Sequence, residues 1–278
     1  MICWINGEQK NHIFITDRSF QFGDGCFTTI RVVGQCPALL ALHIERLKKG
    51  VKKLFLPQPN WKRLFFDINK IAKLNKKDFA VIKVVIIRRG FEQGYSTLKS
   101  NKVTVIILLT DYPMFYLEKR KAGIDVILSN IPINQNPYLA GIKHLNRLEQ
   151  ILIKKQIQLL NVDEAIVSDI KGILISCCAS NIFWRKEKFI FTPKLNYSGV
   201  AGVMRKKVIS SLSNSHYKFF YKNQYPNVLE YSDEIVITNS LMPILPVNRI
   251  VTHMKQPICQ YYSRKLFNFL LPYCLELK

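Results

Sequence analysis

Two apolar runs, Phe79–Ile87 and Lys102–Thr110, set the strongest limit on how this chain folds. Both are dominated by Val, Ile and Leu, which fit a pleated surface buried on its faces. They read as core strands of a sheet that other elements must cover. Between them lies a polar, glycine-containing loop, 88–100, and loops held between core strands commonly carry binding groups.

The rest of the chain supplies covers for such a sheet. Ile44, Leu47, Val51 and Leu54 recur at 3-4-3 spacing, which predicts a helix over Leu42–Phe55, ended by Pro57 and Pro59. Leu64, Ile68, Ile71 and Leu74 mark a second helix. Trp4–Gly7 reads as a strand entering a turn, with Ile13–Ile15 as its expected hairpin partner. Gly23 and Gly25 punctuate a turn before the β-branched stretch Cys26–Val33, and suggest positive φ or the approach of a ligand to the backbone. Further on, a long helix is expected over Leu145–Leu160, with short strands at Glu164–Ser168, Gly172–Cys177, Ile182–Trp184 and Phe189–Thr192. Helices over Met204–Leu212 and Tyr262–Leu271 flank strands at Lys218–Tyr221 and Glu234–Thr238. Strands and helices mix without regular βαβ alternation, so the fold class is α+β in two domains, 1–115 and 122–278, with 116–121 as linker.

Composition excludes several alternatives. The chain has 278 residues, 48 % of them hydrophobic, which is enough for a substantial core and too apolar for a disordered chain. Its longest apolar stretches fall far short of the ~20 residues of a membrane helix. Met1–Asp17 lacks a basic segment followed by an apolar one, so no secretory signal is expected. The 7 cysteines are odd in number and lack metal-type spacing, which predicts a reduced, cytoplasmic protein without a metal. Lys and Arg number 41 against 19 Asp and Glu, a net charge of 41 − 19 = +22. The basic residues are spread through almost every block, and no run reaches five or six. They read as a diffuse surface excess, with neither a nucleic-acid nor a membrane partner.

No P-loop, dinucleotide fingerprint, metalloprotease or nucleophile-elbow motif is present, and the five histidines are scattered. Two segments set polar groups against their local structure. Gly141–Arg147 brings Lys143 to the expected start of a helix, where a cation opposes the dipole. Thr238–Pro243 places small polar residues straight after the apolar Ile235–Ile237. By spacing alone, neither singles out a chemistry.

Taken together, ordered motifs over about residues 4–247 resemble the aminodeoxychorismate lyases, a pyridoxal-phosphate family with the class IV aminotransferase fold. The motifs are Ile5-Asn6-Gly7, Asp17-Arg18, Gln21–Thr29 (QFGDGCFTT), His43–Leu47 (HIERL), Gly94–Leu98 (GYSTL), Leu139–Gln150 (LAGIKHLNRLEQ) and Asp163-Glu164-Ala165. Cys177–Arg185, Thr192-Pro193, Gly202–Arg205 and Asn239–Val247 (NSLMPILPV) complete the set. The resemblance implies conversion of 4-amino-4-deoxychorismate to 4-aminobenzoate and pyruvate, on the way to folate, by a homodimer with that small molecule as substrate. It implies Lys143 as the Schiff-base lysine. It also implies Arg46, the amides of Val203 and Met204, and Ser240 as binders of the cofactor's phosphate. Thr29 and Asn239 match positions that face the substrate. A related aminotransferase for branched-chain or D-amino acids, or a decayed homologue, are the alternatives that the same fold allows.

The chain departs from the family at two places. Ser176 stands where a glutamate would meet the pyridine nitrogen, and a hydroxyl supplies no compensating charge. Gln93 stands where an arginine would meet a substrate carboxylate, with Arg88 or Arg89 as the expected substitute. Elimination that aromatises its product needs less carbanion stabilisation than transamination, so Ser176 predicts a slower lyase with little transaminase activity.

Overall fold

The computed structural model describes residues 1–90, 94–98, 100–213 and 215–278 and divides them into two compact units. The first comprises Met1–Pro113, Ile142–Asn146 and Glu276–Lys278. The second comprises Met114–Gly141 and Arg147–Leu275. The division differs from the sequence expectation in two ways. The expected linker 116–121 lies inside a helix, and the segment around Lys143 returns to the first unit, where backbone hydrogen bonds hold it.

In the first unit the elements run β1 (Ile2–Ile5), β2 (Glu8–Gln9), α1 (Arg18–Phe22), β3 (Gly25–Val33), β4 (Cys36–Pro37), α2 (Leu40–Lys53), α3 (Trp61–Ala72), β5 (Phe79–Arg89) and β6 (Lys102–Asp111). The two apolar runs are β5 and β6, paired antiparallel at the centre of a six-stranded sheet ordered β2-β1-β6-β5-β3-β4. One face of β3 (Cys26, Ile30, Val32) and of β5 (Ile82, Val84, Ile86) packs with Ile44, Leu47 and Val51 of α2 and Leu64, Ile68 and Ile71 of α3. The partner of β1 is Glu8–Gln9 rather than Ile13–Ile15. Asn6 and Gly7 both have positive φ (52° and 89°), so they close a two-residue hairpin at once. Phe14 and Ile15 are left exposed.

The second unit runs α4 (Phe115–Ala122), β7 (Ile124–Leu128), α5 (Leu148–Leu159), β8 (Glu164–Ser168), β9 (Leu174–Cys177), β10 (Asn181–Lys186), β11 (Phe189–Thr192), α6 (Val203–Leu212), β12 (Lys218–Tyr221), β13 (Glu234–Thr238), β14 (Leu245–Val251), β15 (Pro257–Gln260) and α7 (Lys265–Leu275). Its nine strands form a mixed sheet ordered β12-β11-β10-β13-β14-β7-β8-β9, with β15 paired to β14. Leu145 lies outside α5, and the face of α5 that enters the core carries Ile153 and Ile157. Leu148, Ile151, Leu152 and Leu159 are exposed. No helix among the described residues is long and apolar enough to cross a membrane.

Candidate active site

One candidate cluster is built on β3 in the first unit. Gly23 ends α1 with a φ of +64°, and a Cβ there would come within 2.5 Å of Asn146. A Cβ on Gly25 would meet Ile86 O at 2.6 Å and Leu145 Cδ1 at 2.9 Å. The glycines therefore make room for the segment 142–146, which bonds to the start of β3. Phe27 N donates to Lys143 O (2.9 Å), Leu145 N donates to Gly25 O (3.0 Å), and Cys26 and His144 form an antiparallel bridge. At Gly25, where positive φ or a ligand is expected, the close approach is made by protein backbone and side chains. Lys143 lies in this extended segment, before α5 begins at Leu148. The expected conflict with a helix dipole does not arise.

Alternate residues of β3 point to opposite faces. Cys26, Thr28 and Ile30 face α2, so Phe27 and Thr29 face the other way. On that second face the Lys143 Nζ lies 4.6 Å from the Phe27 ring centroid, and the Lys83 Nζ lies 4.9 Å from the same centroid. Thr29 stands directly across from Lys83 in the register of β3 and β5. One half-buried strand face therefore gathers a hydroxyl, an aromatic ring and two amines. Lys83 escaped sequence reading because a lone lysine in an apolar run has no distinguishing pattern. Its position opposite Thr29 depends on strand register.

On the α2 face, the Arg46 Nη2 donates to Thr28 Oγ1, whose oxygen lies 2.6 Å from His43 Nδ1. The Arg46 Nε is buried without a hydrogen-bond partner. Burial pushes the guanidinium down to about 10, so it remains charged at neutral pH. Among the described residues no carboxylate forms an ion pair with it. A buried cation with neutral partners and an open donor is suited to an external anion.

Arg88 has a different place from the one expected. It is buried, and its Nε donates to Asp24 Oδ2 (2.9 Å) while its Nη2 donates to Leu54 O (3.0 Å). Arg18 donates to the same Asp24 oxygen (3.0 Å) and to Gly94 O and Tyr95 O. Arg88 thus braces the turn and the end of α2 through its Nε and Nη2. Arg89 is exposed, and Gln93 lies outside the described residues.

A separate candidate cluster lies in the second unit. Gly202 precedes α6 without a side-chain cap, which leaves the first-turn amides of Val203 and Met204 to an outside acceptor. Asn181 Nδ2 donates to Val200 O (2.9 Å), and a Cβ on Gly202 would come within 2.0 Å of Asn181 Oδ1. The neighbouring Ser180 Oγ accepts from Asn239 Nδ2 (3.2 Å). The start of β10 thereby fixes both the N-terminus of α6 and the loop that carries Ser240. Asn239 also donates to Ala179 O, and its Oδ1 accepts from the amides of Leu241 and Met242. With donors and acceptor all engaged, its side chain shapes this loop rather than offering a bond to a substrate. Ser240 is half-buried.

Ser176 is buried on β9, opposite Val167 of β8. The buried carboxylates of this unit are committed elsewhere. Glu164 accepts from the amides of Ala165 and Ala179 and from Ser180. Glu234 accepts from Arg185, Ser263 and the amides of Leu266 and Phe267. Asp169 accepts from Gln135 and the amides of Lys171 and Ile173. Cys177 is buried in the core, Cys178 Sγ meets Gln150 O, and no group of metal-type ligands occurs among the described residues.

Comparison with known proteins follows the whole chain. Residues 25–250 match the family described as amino-transferase class IV. An aminodeoxychorismate lyase from Vibrio harveyi is 36 % identical over 248 residues, 89 % of this chain and 90 % of that protein. A D-alanine aminotransferase from Bacillus licheniformis is 24 % identical over 242 residues, 85 % of this chain and 82 % of that protein. The crystal structure of 4-amino-4-deoxychorismate lyase from Pseudomonas aeruginosa superposes with a TM-score of 0.89 at 24 % identity, covering 97 % of this chain and 98 % of that one.

Proposed function

The chain belongs to the class IV aminotransferase family, and on that footing we propose that it is a pyridoxal-phosphate enzyme that splits 4-amino-4-deoxychorismate into 4-aminobenzoate and pyruvate. The observation that carries the reading is the β3 face where Lys143, Lys83 and Thr29 come together around Phe27. The residues present suit the cofactor. Arg46, with its open buried Nε, and the uncapped amides of Val203 and Met204 are donors for a phosphate dianion, with Ser240 as a further one.

When bound, pyridoxal phosphate supplies an electron sink for the pair left by the departing proton. The remaining work falls to side chains. Lys143 would hold the cofactor's aldehyde, and its amine would move the proton of the ring carbon that bears the substrate amine. The Thr29 hydroxyl orients the substrate beside it. Lys83 takes the part of a carboxylate ligand that had been expected of Arg88. Ser176 offers the pyridine nitrogen a hydroxyl without a charge. Loss of the enolpyruvyl ether aromatises the ring, which supplies driving force where the sink is weak.

The test is production of 4-aminobenzoate from 4-amino-4-deoxychorismate by the purified protein, with Lys143→Ala as the inactive control. Exchange of amino groups with 2-oxo acids at a comparable rate, and no aromatic product, would favour the aminotransferase reading instead.

A further inference from the structure

The contacts of Arg46 follow one direction. A guanidinium has only donors, so its Nη2 must donate to Thr28 Oγ1. The Thr28 hydroxyl proton is then free to go to His43 Nδ1, 2.6 Å away. The His43 nitrogen also lies 3.5 Å from Arg46 Nη2, so a lone pair suits it better than a proton. This makes His43 a neutral imidazole protonated at Nε2. Burial, then the nearby Arg46 charge, holds its pKa well below the usual histidine range. His43 and Thr28 are both fully buried, and Gly50 keeps α2 close to β3, since a Cβ there would meet Cys26 Sγ at 2.9 Å.

We propose that Thr28 and His43 are positioning residues for an anion receptor centred on Arg46, holding one edge of its guanidinium with neutral partners so that its charge stays available for a phosphate. A carboxylate in place of Thr28 or His43 would orient Arg46 equally well but would neutralise it. A hydroxyl backed by a neutral imidazole fixes the geometry and leaves the charge uncompensated. The identity of the anion as the cofactor's phosphate rests on the function proposed above.

The test uses the full-length protein freed of cofactor and titrated with pyridoxal phosphate, with pyridoxal lacking the phosphate, and with inorganic phosphate as competitor. Absorbance reports binding, and circular dichroism checks folding. Thr28→Val and His43→Leu each weaken pyridoxal phosphate by about 10-fold or more and leave pyridoxal within about 2-fold, the range expected for a lost bond to a charged group. Thr28→Ser retains the wild-type affinity, and the Thr28→Val/His43→Leu pair is no weaker than either single change, because the three side chains act as one chain. Equal loss of both ligands, or no loss of the phosphate form, overturns the inference. Arg46→Ala separates the two readings. If it leaves pyridoxal phosphate binding unchanged, the phosphate assignment falls and the inference with it. If it weakens binding while Thr28→Val and His43→Leu do not, the inference alone falls.

Discussion

At the scale of single residues, burial and hydrogen-bond saturation decide which polar groups are left for chemistry. Arg88 and Arg18, both buried, share the partly buried Asp24. Arg88→Ala is expected to lower stability by about 3 kcal/mol, the range for removing one member of a buried pair, as read by thermal unfolding. A raised KM with unchanged stability would contradict that assignment. Lys83→Ala is expected to raise KM for the lyase reaction by about tenfold with kcat nearly unchanged, since it removes a bond made to the ground state as well. Ser176→Glu is expected to change the spectrum of the bound cofactor and raise turnover. If both stay the same, Ser176 is not the partner of the ring nitrogen. His43 adds a pH dependence with a definite sign. Its pKa in the folded state lies well below the ordinary 6.5, so the unfolded chain binds the extra proton first. Its contribution to stability is complete above about pH 6.5 and falls as pH drops from there towards the folded-state value. Unfolding midpoints measured from pH 7.5 to 5 should decline, and less steeply in His43→Leu.

Among the secondary-structure elements, the starts of helices and strands do more for the site than their interiors. The α6 N-terminus is held by Asn181 at the start of β10, in space that only glycine leaves at position 202. Gly202→Ala forces its Cβ into the Asn181 amide and is expected to weaken cofactor binding while α6 itself stays helical. An affinity equal to wild type in a spectral titration would show that the close contact is relieved without moving the amides. The helix α5 shows how periodicity misleads when two apolar stripes compete. Leucines and isoleucines occur around much of its circumference, and only the Ile153–Ile157 stripe enters the core. The stripe through Leu148, Ile151, Leu152 and Leu159 stays exposed, which is a large apolar surface for one helix.

For the whole molecule, that exposed stripe is where the homodimer implied by the family resemblance can be tested. Light scattering is expected to give twice the 32.3 kDa of one chain, and Leu152→Glu to shift the mass towards the single value. A single-chain mass for the unaltered protein would reject the dimer. Much of the fold was legible beforehand, because patterns of period 2 and 3.6 depend on which residues are apolar and on little else. The strands β5 and β6, the helices α2, α3 and α6, and the two-domain α+β class follow from those patterns. The motifs around Lys143, Arg46 and Gly202 carried the resemblance to the family, which periodicity alone does not give. The partners of charged and polar side chains were not legible. Arg88 meets Asp24 from 64 residues away, and Asn239 meets Ser180 from 59. Lys83 faces Thr29 only because β3 and β5 pair in one register. Lys143 lies against β3 rather than on α5, in a segment whose Leu145 and Asn146 side chains fill the space left by Gly25 and Gly23. The order of residues thus determined the elements, the family and the chemical types available. Tertiary structure decided which of those groups are free to act, because a buried polar atom must find its partner wherever the fold brings one within reach.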